Sequence, residues 1–182
     1  MNVTKTCRDI KELNPKAQTA CSLFLAECRK QGVDVFITET YRSQARQNYL
    51  YEQGRTRPGQ VVTWTKSSNH TGRMAWDIAV SPPKALSDRT TLNKAGAVAK
   101  QLGITWGGAW KTPDKPHFEI SDSWQVPMEV LKVKKITITV NGKDRVVDAI
   151  EKDGQNYVKL RDLEDSSIKV GFENKKPTID TK

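Results

Sequence analysis

Histidine is scarce in this 182-residue chain, which has two, His70 and His117. Cysteine is scarce as well: Cys7, Cys21 and Cys28 are the three thiols, all within the first 28 positions. An odd, clustered count excludes the paired framework of a disulfide-stapled secreted domain and points to reduced thiols in a chain made in the cytosol. Cys21 and Cys28 are seven residues apart, which is roughly 10 Å along a helix and too far for an unstrained disulfide. No CxxC pair is present, so the common zinc–cysteine spacing is missing too. No stretch is long and apolar enough to insert in a membrane. Met1 to Thr6 offers no apolar run of the kind a cleavable signal peptide requires. Zinc-finger spacing, a basic recognition helix and an aromatic RNA-binding motif are all lacking, so a nucleic-acid partner is not expected.

What is present suits a globular protein. The chain is 36% hydrophobic and 28% charged, which allows a core and argues against global disorder. Its length fits one domain of about 125 residues with a small appendage. The net charge of +9 implies attraction to polyanions, whether nucleic acid, anionic headgroups or wall teichoic acids, and charge alone does not choose.

Helical spacing of Leu13, Ala17, Ala20, Cys21, Phe24, Leu25 and Cys28 predicts a helix from about Lys11 to Lys30, with Gly32 as its stop. Val33 to Thr38 reads as a strand, and Ser43 as the N-cap of a helix ending near Gln53. Arg55 to Gln60 is a basic loop, followed by a short extended piece, Val61 to Trp64. Ala75 to Val80 reads as a strand, Leu92 to Leu102 as a helix, and Phe118 to Ile120 as a closing strand. Helices and strands mix without a βαβ rhythm, which predicts an α+β fold.

Composition changes after Trp124. Residues 1–124 are expected to form one domain, 125–134 a linker, and 135–182 a small β-rich module. In that module Asn141-Gly142 and Asp153-Gly154 separate alternating strands, a strong hairpin signal. A unit of this size is marginal alone, so docking or self-association as a homo-oligomer is expected to stabilise it.

The two histidines carry the chemistry. His70 lies in Ser68-Asn69-His70-Thr71-Gly72-Arg73-Met74-Ala75-Trp76-Asp77, and His117 in Asp114-Lys115-Pro116-His117-Phe118-Glu119. Two neutral imidazoles and one carboxylate, supplied by Asp77, hold zinc while leaving a fourth position for water, the mark of a catalytic site. Asp114, three residues before the second histidine, is placed to act as base. The pattern reads as a zinc hydrolase. Other divalent ions accept the same donors.

These elements together resemble the zinc D,D-carboxypeptidase and L-alanyl-D-glutamate endopeptidase family. The match runs from Ser68-x-His70 and Ala75-x-Asp77 through Trp106-Gly107-Gly108 to Asp114-x-Pro116-His117-Phe118-Glu119. Thr40-Tyr41-Arg42-Ser43, Gln53-Gly54-Arg55-Thr56 and Pro58-Gly59 are similar to its bacteriophage endolysin branch. The resemblance covers roughly residues 8–122. It implies a small mixed sheet with flanking helices, as in Hedgehog and D,D-peptidase folds, and zinc held by His70, Asp77 and His117. It also implies Asp114 as general base and later acid, Arg42 as the group that binds the substrate carbonyl and stabilises the oxyanion, and Ser68 as a substrate-positioning residue. The implied substrate is the peptidoglycan of a Gram-positive wall, cut at the L-alanyl–D-glutamate bond, with D,D-carboxypeptidase action on D-Ala-D-Ala stems as the alternative. An enzyme of this kind is made in the host cytoplasm without a signal peptide and acts on the wall after release. The family usually has glycine where this chain has Arg73, with glycine displaced to Gly72.

The second module is similar to a short domain first described at the N-terminus of copper amine oxidases. With no histidine or cysteine there, no copper chemistry follows; binding to the wall or its anionic polymers, or oligomerisation, does. A non-catalytic wall-binding protein is the competing reading. Trp64, Trp76, Trp106 and Trp110 are expected in the core rather than against substrate, and Gly107-Gly108 in a turn beside the site.

Overall fold

The computed structural model describes residues 3–127, 133–152, 155–173 and 176–181. The chain divides into two compact units, Met1–Val126 and Pro127–Lys182.

In the first unit, α1 spans Pro15–Lys30. Asn14 caps it by accepting from the Lys16 amide, and Pro15 occupies the first turn, where its missing N–H costs nothing. Ala17, Ala20, Cys21, Phe24 and Cys28 form its buried stripe. β1 (Val35–Glu39) follows, then α2 (Gln44–Glu52), capped by Ser43 as its sequence position predicts. β2 is Ala75–Val80, and α3 is Arg89–Gln101. The latter begins three residues before the expected Leu92 because Asp88 caps it, accepting from the Thr91 amide at 2.8 Å. β3 (Thr105–Trp106) and β4 (His117–Glu119) complete the unit. Residues 61–64, expected as extended strand, join no ladder. Arg55 donates to the Thr63 carbonyl, and Gln47 of α2 to the Thr63 hydroxyl and the Thr65 carbonyl.

The α+β class is borne out. The sheet has the order β1-β2-β4-β3, and every pairing in it is antiparallel. The expected mixed sheet is thus corrected. β2, α3 and β3 make a crossover that leaves β2 and β3 running the same way, but β4 inserts between them, so no parallel neighbours meet.

Strand alternation then sorts the two faces. Trp76 and Phe118 are register partners on β2 and β4 and turn to the helical side. There the Phe24 ring sits 4.6 Å from Phe118 and 6.0 Å from Trp76. All three rings are fully buried, each worth about 1.5–3 kcal/mol of transfer free energy. Their neighbours Asp77, His117 and Glu119 turn to the opposite face. Cys21 and Cys28 lie in the core as free thiols, both pushed up to about 12 by burial, with Glu27 adding to the rise at Cys28. They are packing residues.

The second unit contains β5 (Val133–Val140), β6 (Lys143–Lys152) and β7 (Gln155–Val158) in one antiparallel sheet. A separate hairpin follows, β8 (Ile168–Glu173) with β9 (Lys176–Thr181). β5 begins at Val133, two residues inside the expected linker. Asn141 and Gly142 both take positive φ, 50° and 72°, as a two-residue turn of this type demands. The expected Asp153-Gly154 turn lies outside the described residues.

Among the described residues no helix is long and apolar enough to cross a membrane.

Candidate metal centre and its cleft

Asp77 and His117 are direct register partners across β2 and β4, so the sheet itself brings them together. His70 comes from the loop before β2, and that loop is held on several sides. The His70 carbonyl accepts from the Arg42 and Arg73 amides, and the Ser68 hydroxyl accepts from the His70 amide at 3.4 Å. The result is three donor atoms at one point. His70 Nε2 lies 3.2 Å from Asp77 Oδ1 and 3.2 Å from His117 Nδ1, and His117 Nδ1 lies 3.1 Å from Asp77 Oδ1.

The outer nitrogens define the tautomers. His70 Nδ1 donates to the Thr40 carbonyl at 2.6 Å, which leaves Nε2 as a lone pair. His117 Nε2 donates to Glu119 at 2.9 Å, which leaves Nδ1 as a lone pair. Both are the outer hydrogen bonds that metal-ligating histidines make. Ligand atoms bonded to zinc at ~2.0–2.2 Å in a tetrahedron lie about 3.3–3.5 Å apart, close to the separations here. Three such atoms held this close need positive charge among them, a metal ion or, in its absence, a proton on His117. The residues His70, Asp77 and His117 therefore fit a metal ion by donor type, spacing and orientation.

The electrostatics agree. Burial opposes ionisation of Asp77, but the close imidazoles of His117 and His70 outweigh it and hold the carboxyl well below its ordinary range. Burial also opposes a charged His117, but Asp77 and Glu119 raise it to about 9. Two carboxylates thus make a field that favours positive charge at this point. Glu119 itself is lowered, chiefly by its bond with His117.

A cleft of about 600 Å³ opens over these atoms and is lined by Arg42, Ser68, Trp110 and Asp114 among others. Asp114 stands at its mouth, three residues before His117 in a turn closed by the His117 amide on the Asp114 carbonyl, 3.2 Å. Its pKa is raised, first by desolvation of the carboxyl against the cleft and second by the negative charge of Asp77. Arg42 faces the same cleft, but most of its fork is engaged. It donates to Glu39 at 2.6 and 3.1 Å, to Gln47 at 2.9 Å and to the second oxygen of Asp77 at 3.4 Å.

The structure therefore gathers all six residues singled out in the sequence. It also reveals one partner the sequence reading passed over, Glu119, and a brace at Glu39. Glu119 stands two residues after His117, and strand alternation puts both on one face, so a period-two reading of His117-Phe118-Glu119 would have found it. Glu39, 5% exposed, is held by Arg42 and by Arg46 at 2.7 Å and fixes the Arg42 guanidinium on Asp77. Its position three residues before Arg42 makes it the nearby carboxylate that a structural reading of Arg42 would pair with, and the pair is formed.

One expectation about local structure is revised, and the turn at Gly107-Gly108 is found beside the site. Trp76 is buried and Trp106 half-buried, but Trp64 and Trp110 are exposed, and Trp110 lies 5.1 Å from the His117 ring. Gly107, in a 3-10 turn, is needed for close approach: a Cβ there would sit 2.6 Å from the Asp114 carbonyl oxygen and 3.2 Å from His117 Cβ. Arg73 adopts φ 61°, the left-handed conformation that glycine takes without strain. Its side chain offsets the cost, pairing with Glu12 at 2.6 Å and lying 3.9 Å from the centre of the Tyr41 ring.

Comparison with known proteins shows the family. Residues 62–120 match the family profile described as D-alanyl-D-alanine carboxypeptidase, one of the M15 peptidases. The chain is 32% identical over 123 residues to the peptidoglycan L-alanyl-D-glutamate endopeptidase CwlK of Bacillus subtilis (strain 168), covering 60% of this chain and 74% of that protein. Its structure is similar to the crystal structure of Serratia marcescens L-Ala D-Glu endopeptidase ChiX, with a TM-score of 0.50 and 26% identity over 64% of this chain and 89% of the other. The chain belongs to the M15 peptidase family.

Proposed function

We propose that this protein is a zinc-dependent peptidoglycan hydrolase that cleaves the L-alanyl–D-glutamate bond of the stem peptide. The observation that carries this reading is the convergence of His70, Asp77 and His117 at the floor of a cleft with Asp114 at its mouth. The two relatives named above as L-Ala–D-Glu endopeptidases support the choice of bond. A zinc ion held by the three side chains supplies Lewis acidity, polarising the scissile carbonyl and acidifying water. Asp114 accepts a proton from the attacking water and passes it to the leaving D-glutamyl amine, so that one water is consumed for each amide broken. Arg42, held by Glu39 and Gln47, presents its remaining N–H to the developing oxyanion. Ser68 braces the His70 loop and offers a polar contact on the cleft wall.

The endolysin-like stretches around Arg42 and Gly54 support release of the enzyme onto a Gram-positive wall at the end of a phage cycle. Mass spectrometry of fragments from purified Gram-positive peptidoglycan tests the reading. New N-terminal D-glutamate, or its amide, should appear with metal and vanish with a chelator. The description of the matching family profile favours one second reading, a D,D-carboxypeptidase; release of terminal D-alanine instead would select it.

The second unit, with its resemblance to the copper amine oxidase N-terminal domain, is read as a wall-binding or self-association module. A chain ending at Val126 separates these. It should lose sedimentation with purified walls in the first case and change the number of chains per particle in the second. No change in either would sink both roles.

A further inference from the structure

In the first unit, the large hydrophobic side chains that remain exposed among the described residues are Val62, Trp64, Leu86 and Trp110. They are not scattered. Val62, Leu86 and Trp110 line the cleft that holds the three donor residues, and Thr63 and Thr65, on either side of Trp64, line it too. Single exposed apolar residues carry no message, but three on one cleft, with Trp64 carried between two threonines of its wall, mark a contact surface.

Trp64 is the most exposed of the four at 76%, yet the backbone around it is fixed. Fully buried Gln47 donates to the Thr65 carbonyl at 2.7 Å and to the Thr63 hydroxyl at 3.3 Å. Arg55 donates to the Thr63 carbonyl at 3.2 Å and to the Tyr51 carbonyl. The Arg55 guanidinium then lies 4.0 Å from the centre of the Tyr51 ring and 5.6 Å from that of Trp64, and Lys66 Nζ lies 5.1 Å from the Tyr51 ring. The rim is thus an aromatic plane on a rigid support, flanked by cations. Gln47 also accepts from Arg42, so rim and metal centre share one brace. Trp, Tyr and Arg are the residue types that most often carry binding energy at contact surfaces.

We infer that this rim is a saccharide platform, on which Trp64 stacks against the N-acetylmuramoyl sugar that bears the stem peptide being cut. The inference rests on the L-alanyl–D-glutamate reading. In that substrate the alanine amine is joined to the lactyl group of the sugar, so a single residue separates sugar and scissile bond. One residue plus the lactyl linker spans about 7 Å when extended, which brings the sugar to the wall of the same cleft. A saccharide ring presents a face of C–H bonds that packs on an indole. Its hydroxyl and acetamido oxygens accept from the Arg55 guanidinium and the Lys66 ammonium.

The test compares kcat/KM of the zinc-loaded protein on a disaccharide-tripeptide and on the same tripeptide without sugar. The wild-type protein should prefer the sugar-bearing substrate. Trp64→Ala should lower that preference by about three- to tenfold, chiefly through KM, and Trp64→Phe should retain most of it. Thermal melting of both variants checks that the fold is intact. A preference unchanged in Trp64→Ala, or absent from the wild type, overturns the platform while leaving the endopeptidase reading in place. Failure of the wild type to cut either substrate overturns both.

Discussion

Asp114→Asn is expected to lower kcat on a stem-peptide substrate by about 10²–10⁴-fold, the range supplied by a positioned general base. KM and the metal bound per chain should change little, because Asp114 lies outside the donor triad of His70, Asp77 and His117. The acid limb of the wild-type pH profile should be the ionisation of Asp114, whose pKa desolvation raises. That limb should disappear in the variant. A variant keeping more than about a tenth of wild-type kcat would move the base elsewhere. Stability should move the opposite way. A carboxyl whose pKa is raised by folding favours the folded state below its unfolded pKa, and that advantage is lost as pH rises through the folded value. At neutral pH the ionised Asp114 therefore opposes folding. In the presence of chelator, Asp114→Asn should melt no lower than the wild type at pH 7 and lose its advantage in acid. Activity and stability trading places at one residue is the signature of a functional site rather than a structural one.

Gly96→Ala should carry a large cost to the fold of the first unit. Alanine is the better helix former by about 1 kcal/mol, so propensity alone predicts a gain in the middle of α3. Packing overrules it. A Cβ at Gly96 would lie 2.3 Å from Cε3 of Trp106, and Gly108 confines the same ring, its own Cβ position being 2.1 Å from Cζ2. Overpacking of this kind costs about 1–3 kcal/mol or more, and the indole has no free direction in which to yield. Trp106 Nε1 also donates to the Lys115 carbonyl at 2.8 Å, in the turn between Asp114 and His117. The substitution should therefore lower the melting temperature by several degrees and reduce metal affinity with it. A variant as stable as the wild type would show that α3 shifts away from the ring without penalty.

The parts of this protein legible in its sequence are those where chemistry or local backbone rules act alone. Two histidines in a chain of this length, each with an acidic neighbour, leave few arrangements other than a metal centre. Asn14-Pro15 and Ser43 announce helix starts by capping, and Asn141-Gly142 announces a turn by its tolerance of positive φ. The parts that were not legible depend on contacts remote in sequence. β3 is two residues long and exists because β4 pairs with it. The left-handed Arg73 is held by Glu12, 61 positions away. The exposure of Trp64 follows from what Gln47 and Arg55 do to the backbone beside it, not from any property of tryptophan. The hairpin of β8 and β9 had no turn signal strong enough to mark it in advance.

The direct pairing of Asp77 with His117 has a further consequence for how such an enzyme changes over time. Two of the three donors are set by neighbouring rungs of one ladder, and the backbone between strands has no part in their spacing. Insertions and replacements in residues 53–66 or 81–88 can reshape the walls of the cleft while the rungs stay where they are. Chemistry is inherited with the sheet, and preference for one wall or another is rewritten in the loops.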